Sequence, residues 1–368
     1  MSSTNFRDRI FASLALAGMG DALGAQTEQW SIDEIAARHG GLVTRFGTPP
    51  DDTFAGANAG KRAEVTDDAS QMYYLARALI AADGRLDYDG WVSCLLDWAS
   101  TSPKAGFMGP STALMVKALQ EGGDVNEVGI IGRSRRKMTT IGITNGAAMR
   151  VAPAGLIHPG DLAAACEQAL VTCLPSHDTD VAISAACSIS AATAQALVSD
   201  DLQQVLAAAT HGGRMGERMA SQHARSVAGP NYLARLEMAL SISAESRNDR
   251  EFLVNMEKKV GNSVLAAESV PAALGVVCYA QGDPLRTIAL CSSIGNDTDS
   301  IATMAGAIVG ALRGTAALPA DLLSEFLEVN HDDFDLQQIA EGLSQLAIVN
   351  MAQRAQRLSS TVSPRVQP

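Results

Sequence analysis

Apolar side chains recur at helical spacing through most of this chain. Met72, Leu75, Ala76, Leu79 and Ile80 follow an i, i+3, i+4, i+7, i+8 series, and Ile301, Met304, Ala305, Ile308, Val309 and Leu312 repeat it. Each series lays one apolar stripe along a helix. Ile10, Leu14 and Ala17 mark a first helix over 5–20, ending near the glycines of "GMGDALG". The same spacing predicts helices near 88–100, 111–121, 161–173, 179–197, 201–210, 231–243, 251–257, 263–280, 284–292, 299–313, 320–328 and 335–355. Strict apolar/polar alternation is nearly absent, so the pattern predicts an all-α fold built as a compact multi-helix bundle. Against this background 41–64, "GLVTRFGTPPDDTFAGANAGKRAE", reads as one long loop, because its glycines, prolines and polar residues sustain no regular element. Loops of that length inside a compact domain are usually functional or mobile.

No repeat and no linker divides the chain, so 1–355 is read as a single domain. The stretch 356–368, which ends in "RLSSTVSPRVQP", lacks periodicity and is expected to be disordered. Composition agrees with closely packed helices: of 368 residues 47% are apolar and only 4% aromatic. A formal net charge of −12 argues against a nucleic-acid partner. The six cysteines form no CxxC pair and most lie in apolar helical context, which predicts largely buried free thiols and a cytoplasmic protein. The apolar "IFASLALAG" runs straight into "MGDALG" without a cleavage-site pattern, and no segment reaches membrane-spanning length.

Chemistry concentrates at two helix starts. "VTDDASQM" places Thr66, Asp67 and Asp68 just ahead of one apolar stripe, and "GNDTDSIATM" places Asp297, Asp299 and Ser300 ahead of the other. One such cluster is an ordinary acidic helix N-terminus, capped by a hydroxyl and favoured by the helix dipole. Two in one apolar protein are harder to account for, since four aspartates brought together repel unless protonated or neutralised by cations. Ligands that are all oxygen, with no Cys or His set nearby, suit hard ions such as Mg²⁺ or Mn²⁺.

These blocks resemble the ADP-ribosylglycohydrolase family, the DraG-like (ADP-ribosyl)hydrolases. The resemblance is carried in order by "GMGDALGAQTE" (18–28), "TDDASQM" (66–72), "TNGAAMRVAPAGL" (144–156) and "GNDTDSIATMAGAIVGA" (295–311), with support from "SHDTDVAISAA" (176–186). It implies an orthogonal helical bundle with a central dinuclear site for two divalent cations, Mg²⁺ or Mn²⁺. The metal ligands it implies are Thr66, Asp67, Asp68, Asp297, Asp299 and Ser300. Glu28 aligns with an acidic residue near the metals, so Glu28 and Asp297 are the candidates for moving the proton of an attacking water. Asn145, Gly146 and Ala147 correspond to a substrate-contacting loop, and His177 to a histidine near the substrate.

The activity implied is hydrolysis at the anomeric carbon of a ribose, releasing ADP-ribose from an ADP-ribosylated protein. A hydrolase of a small riboside or nucleotide is the alternative, followed by a non-catalytic ADP-ribose binder or immunity-type protein, and then a silent relative. Two departures from the family pattern favour the small substrate: serine at 300, where most relatives carry threonine, and Asn296, where a glycine is usual and a side chain could narrow the pocket. Blander roles stand beside these. Thr66 and Ser300 also fit simple caps, His177 fits a cap for the helix starting near Thr179, and Arg150 fits either a phosphate or buried carbonyls. Phe107 fits base stacking or local packing.

Overall fold

The computed structural model describes residues 3–362. Among them helices account for all regular structure, and strand-like pairing is confined to isolated bridges such as Thr144 with Leu265. Four helices position the site: α1 (Ser3–Gly24), α2 (Asp67–Ala81), α3 (Asp180–Ala196) and α4 (Thr298–Arg313). One apolar core, running from Phe6 to Ala347, joins their buried faces.

α1 and α4 lie directly against each other because small residues let their backbones meet. A Cβ on Gly306 would stand 2.5 Å from the Leu16 carbonyl oxygen, and one on Gly310 would overlap that of Ala12. Nearer the site the roles reverse, with Gly20 of α1 against Ala302 O and Gly24 against the Asp299 backbone, each 2.5 Å from where its Cβ would be. Contacts this short leave room only for hydrogen. They set the end of α1 against the start of α4.

The predicted helices are present, with informative differences at their ends. The helix expected over 201–210 continues as Leu202–His223, through a glycine pair that looks like a stop. Gly212 and Gly216 are contact points instead, where the helix closes onto the α3 backbone at Cys187 and Ser184. Helix Ile32–His39 was not expected from apolar spacing, and a capping box forms it: Glu34 N donates to Ser31 Oγ while Ser31 N donates to Glu34 Oε2 at 2.8 Å. Asp249–Asn255 passes into a wide turn over Met256–Val260. The last helix, Leu336–Val362, enters the stretch expected to be disordered, and 363–368 lie outside the described residues.

The 41–64 segment is irregular apart from one turn, Phe54–Ala57, capped by Thr53. It is nonetheless fastened down: Glu64 pairs with buried Lys104 at 2.5 Å, and Phe54 meets Phe107 edge-on with ring centroids 6.5 Å apart. No helix among the described residues is long and apolar enough to cross a membrane.

Candidate metal and substrate site

The two acidic helix starts face one another across a cavity of about 150 Å³. On one side Thr66 caps α2, its hydroxyl accepting from Asp68 N at 3.4 Å. The whole turn rests on Asp21, a fully buried carboxylate near the end of α1. Asp21 Oδ2 accepts from Thr66 N and Ala69 N, both at 3.0 Å, and Oδ1 accepts from Thr66 Oγ1 at 2.8 Å. The Thr66 hydroxyl proton is therefore used beneath the cavity, and Thr66 does not line its wall.

On the other side the turn after α1 brings Glu28 to α4. Gln29 N donates to Asn296 O and Asn296 N donates to Trp30 O, each at 2.8 Å, which locks the two segments together. Both residues take left-handed backbones to do so, Gln29 at φ 72° and Asn296 at φ 60°. Asparagine tolerates that conformation better than most side chains, so it replaces glycine at modest strain. The Asn296 side chain does not line the cavity, so the expected narrowing of the pocket does not occur.

One oxygen from each of Glu28, Asp297 and Asp299 falls within 4.8 Å of the others. Asp67, Asp68 and Ser300 line the same cavity. Burial raises their affinity for protons, Asp299 to about 6 by burial alone, and Asp297 to about 8 and Glu28 to about 10 by burial reinforced by the charge of Asp299. Asp67 and Asp68 are raised well above the carboxylate range by the same causes, and Asp21 to about 7 by burial and the charge of Asp299. Asp297 is held on both oxygens, by Asn145 Nδ2 at 2.5 Å and Ser300 Oγ at 3.1 Å. Glu28 Oε2, Asp68 Oδ1 and Asp299 Oδ1 are buried without any partner. A cluster of oxygens with unused lone pairs and suppressed acidity suits hard divalent cations, which would supply the missing charge.

The sequence profile of the ADP-ribosylglycohydrolases matches residues 2–355. The chain belongs to the ADP-ribosylglycohydrolase family. It is 32% identical over 331 residues to the uncharacterized protein YegU of Escherichia coli (strain K12), spanning 89% of this chain and 94% of that one. A short region, 24% of this chain and 26% of the relative, is 36% identical to human ADP-ribosylhydrolase ARH3. A solved structure named an ADP-ribosylglycohydrolase-related protein complex superposes with a TM-score of 0.60 over 94% of this chain and 99% of that chain, at 20% identity, a likeness of fold.

In this member of the ADP-ribosylglycohydrolase family the expected substrate loop divides its residues between wall and support. Asn145 lines the cavity, yet its amide donates to Asp297 and, at 2.9 Å, to Ser269 Oγ. Gly146 lines the wall as well, whereas Ala147 is fully buried and off it. Hydrogen bonds from Asn145 N to Val264 O and from Ala266 N to Ile143 O anchor this loop to the 266–279 helix. His177 corrects its expectation. It is fully buried behind the wall, between Ser176 Oγ at 2.7 Å and Thr144 Oγ1 at 2.9 Å, and burial lowers its pKa to about 3. Nor does it cap α3, since Thr179 Oγ1 accepts from Ala182 N there. Arg150 is fully buried and does not line this cavity; it donates to Gln71, Ser176 and Thr172 O. Phe107 lines the mouth together with Phe54.

Four residues of consequence carried little signal in the sequence. Asp21 is the aspartate of "GDALG", where nothing local marks it as a support for α2. Gln71 donates to Asp67 Oδ2 at 3.1 Å from inside an unbroken helical stripe. Phe54 and Gln29 reach the cavity from irregular segments.

Proposed function

We propose that this chain is a divalent-cation-dependent hydrolase that cleaves the glycosidic bond at a ribose anomeric carbon, releasing ADP-ribose from ADP-ribosylated protein side chains. The observation that carries this reading is the set of three unpartnered carboxylate oxygens, on Glu28, Asp68 and Asp299, inside one buried cavity. Asp67 and Asp68 on one side, with Asp297, Asp299 and Ser300 on the other, would hold two Mg²⁺ or Mn²⁺ ions. When bound, such ions supply positive charge that grips sugar hydroxyls and makes water more acidic.

The chain's own groups do the rest. Asp297 has both oxygens engaged, so its carboxylate is held in place. Glu28 keeps one oxygen unpartnered and open to a water, which makes it the better placed of the two candidates for proton transfer. Gly146 leaves the wall without bulk, and Phe54 with Phe107 offers ring faces to the base of the departing ADP-ribose. Carboxylates around the sugar stabilise the positive charge that develops as the bond breaks. The relative named ADP-ribosylhydrolase supports the ADP-ribose part of this reading.

A second reading, hydrolysis of a small riboside, is favoured by size. The cavity of about 150 Å³ is below the roughly 300 Å³ at which drug-sized ligand pockets begin. It holds a ribose more readily than a whole ADP-ribose.

Calorimetric titration of ADP-ribose in the presence of Mg²⁺, repeated after chelation and with Asp299→Asn, separates these readings. Binding that requires both the metal and the aspartate is the expected result. Metal binding without ADP-ribose binding transfers the case to the small riboside, and metal binding that survives loss of Asp299 refutes the cation centre as drawn.

A further inference from the structure

We infer that Arg150 is a positioning residue that orients two walls of the pocket from beneath, through one hydrogen-bond chain to Asp67 and a second to Thr144. Only what those walls hold depends on the function proposed above.

Arg150 itself fixes the direction of the first chain, and the second takes the direction in which the Ser176 hydroxyl passes its proton on to His177. A guanidinium donates and cannot accept. Its Nη1 donates to Gln71 Oε1 at 2.7 Å, which fixes the amide so that Gln71 Nε2 faces and donates to Asp67 Oδ2 at 3.1 Å. Its Nη2 donates to Ser176 Oγ at 3.0 Å, leaving the serine proton for His177 Nδ1 at 2.7 Å. A histidine that accepts at Nδ1 carries its proton on Nε2 and donates it to Thr144 Oγ1 at 2.9 Å. Thr144 in turn donates to Ser111 Oγ at 3.1 Å. The two chains thus run from a single buried cation, whose Nε stays unpartnered, to two residues of the cavity wall, Asp67 and Thr144.

Packing keeps the source in place. The guanidinium carbon lies 4.9 Å from the Trp91 ring centroid, and both residues are fully buried. His177 is held from above as well, since a Cβ on Gly146 would come within 2.9 Å of its Nε2. Lysine at 150 would keep the charge but lose the planar fork that addresses both arms.

Three readouts on the full-length protein test the chain. Nitrogen-15 NMR of histidine-labelled protein, with the His177 signals assigned by a His177→Gln variant, should find His177 neutral and protonated on Nε2 at pH 7. Ser176→Ala should disturb that signal and leave Mn²⁺ affinity unchanged. Gln71→Met should weaken Mn²⁺ binding about tenfold and leave the His177 signal unchanged. Arg150→Lys should do both. A wild-type His177 protonated on Nδ1 overturns the second arm without any variant needing to fold. Unchanged Mn²⁺ affinity in Gln71→Met overturns the first. A wild-type protein that binds no Mn²⁺ refutes the cation centre and with it the arm to Asp67, while the NMR result decides the arm to Thr144 by itself.

Discussion

Glu28 sits at a point of electrostatic tension, its carboxyl crowded by others in a buried space. It faces Asp297 and Asp299 in a buried space, and burial with their charges raises its pKa to about 10. Glu28→Gln keeps the shape and is neutral at every pH, so at pH 8 it removes the proton that Glu28 must take up on folding. The cation-free variant should therefore unfold at a higher temperature than the parent at pH 8, as read by scanning calorimetry. If Glu28 moves the proton of the reaction, hydrolysis of the correct substrate should fall by between about a hundred- and ten-thousand-fold. Stability gained with turnover unchanged would leave Glu28 a tenant of the cluster and assign the proton elsewhere. How much of this could be read in the residues alone varies with the distance over which each acts. The two Asp-rich helix starts announce themselves because each combines a hydroxyl, two carboxylates and a following apolar stripe. Asp21, Gln71 and Arg150 do not, because their partners are fixed only when separate helices meet.

At the scale of elements, the site depends on how closely α1 approaches α4. Gly24 is the contact nearest the carboxylates, 2.5 Å from the Asp299 backbone at the position its Cβ would take. Gly24→Ala should push the helices apart, with a cost of about 1–3 kcal/mol measured by urea unfolding. Because the displaced atoms belong to Asp299, Mn²⁺ affinity should fall in the same variant; affinity unchanged at reduced stability would mean the site tolerates helix separation. Helix identities were legible from apolar spacing, since a stripe at 3.6-residue period has one stable use. Helix ends were less so. Glycines at 212 and 213 look like a stop when read locally, and only contact with the α3 backbone explains why the helix runs on to His223. The short helix after Ser31 lacks a long stripe, and its signal is the serine–glutamate spacing of the cap.

For the molecule as a whole, the cluster links stability to pH and, on the function proposed above, to cations. These acids bind protons more tightly folded than unfolded, where the ordinary aspartate value is 3.8. Their contribution is fully present below that value and is lost as pH rises through about 6 for Asp299, about 7 for Asp21 and about 8 for Asp297. A bound cation replaces the protons, so its stabilising effect should grow across the same window. Thermal unfolding with Mg²⁺ and with chelator should give midpoints that diverge from pH 5 to pH 8; parallel curves would mean that cations do not occupy this cluster.

The hydrogen bond from Thr298 Oγ1 to Gly24 O spans 274 residues of sequence. Closing so large a loop is slow compared with local helix formation. Asp67 and Asp68 are made well before Asp297, Asp299 and Ser300, which lie far later in the sequence. On the function proposed above, an ion would have no complete cage until the two groups meet, so metal would not guide the early steps of folding and would register only the last one. Uptake of Mn²⁺ during refolding would act as a clock hand for completion, moving only after these two distant segments have met.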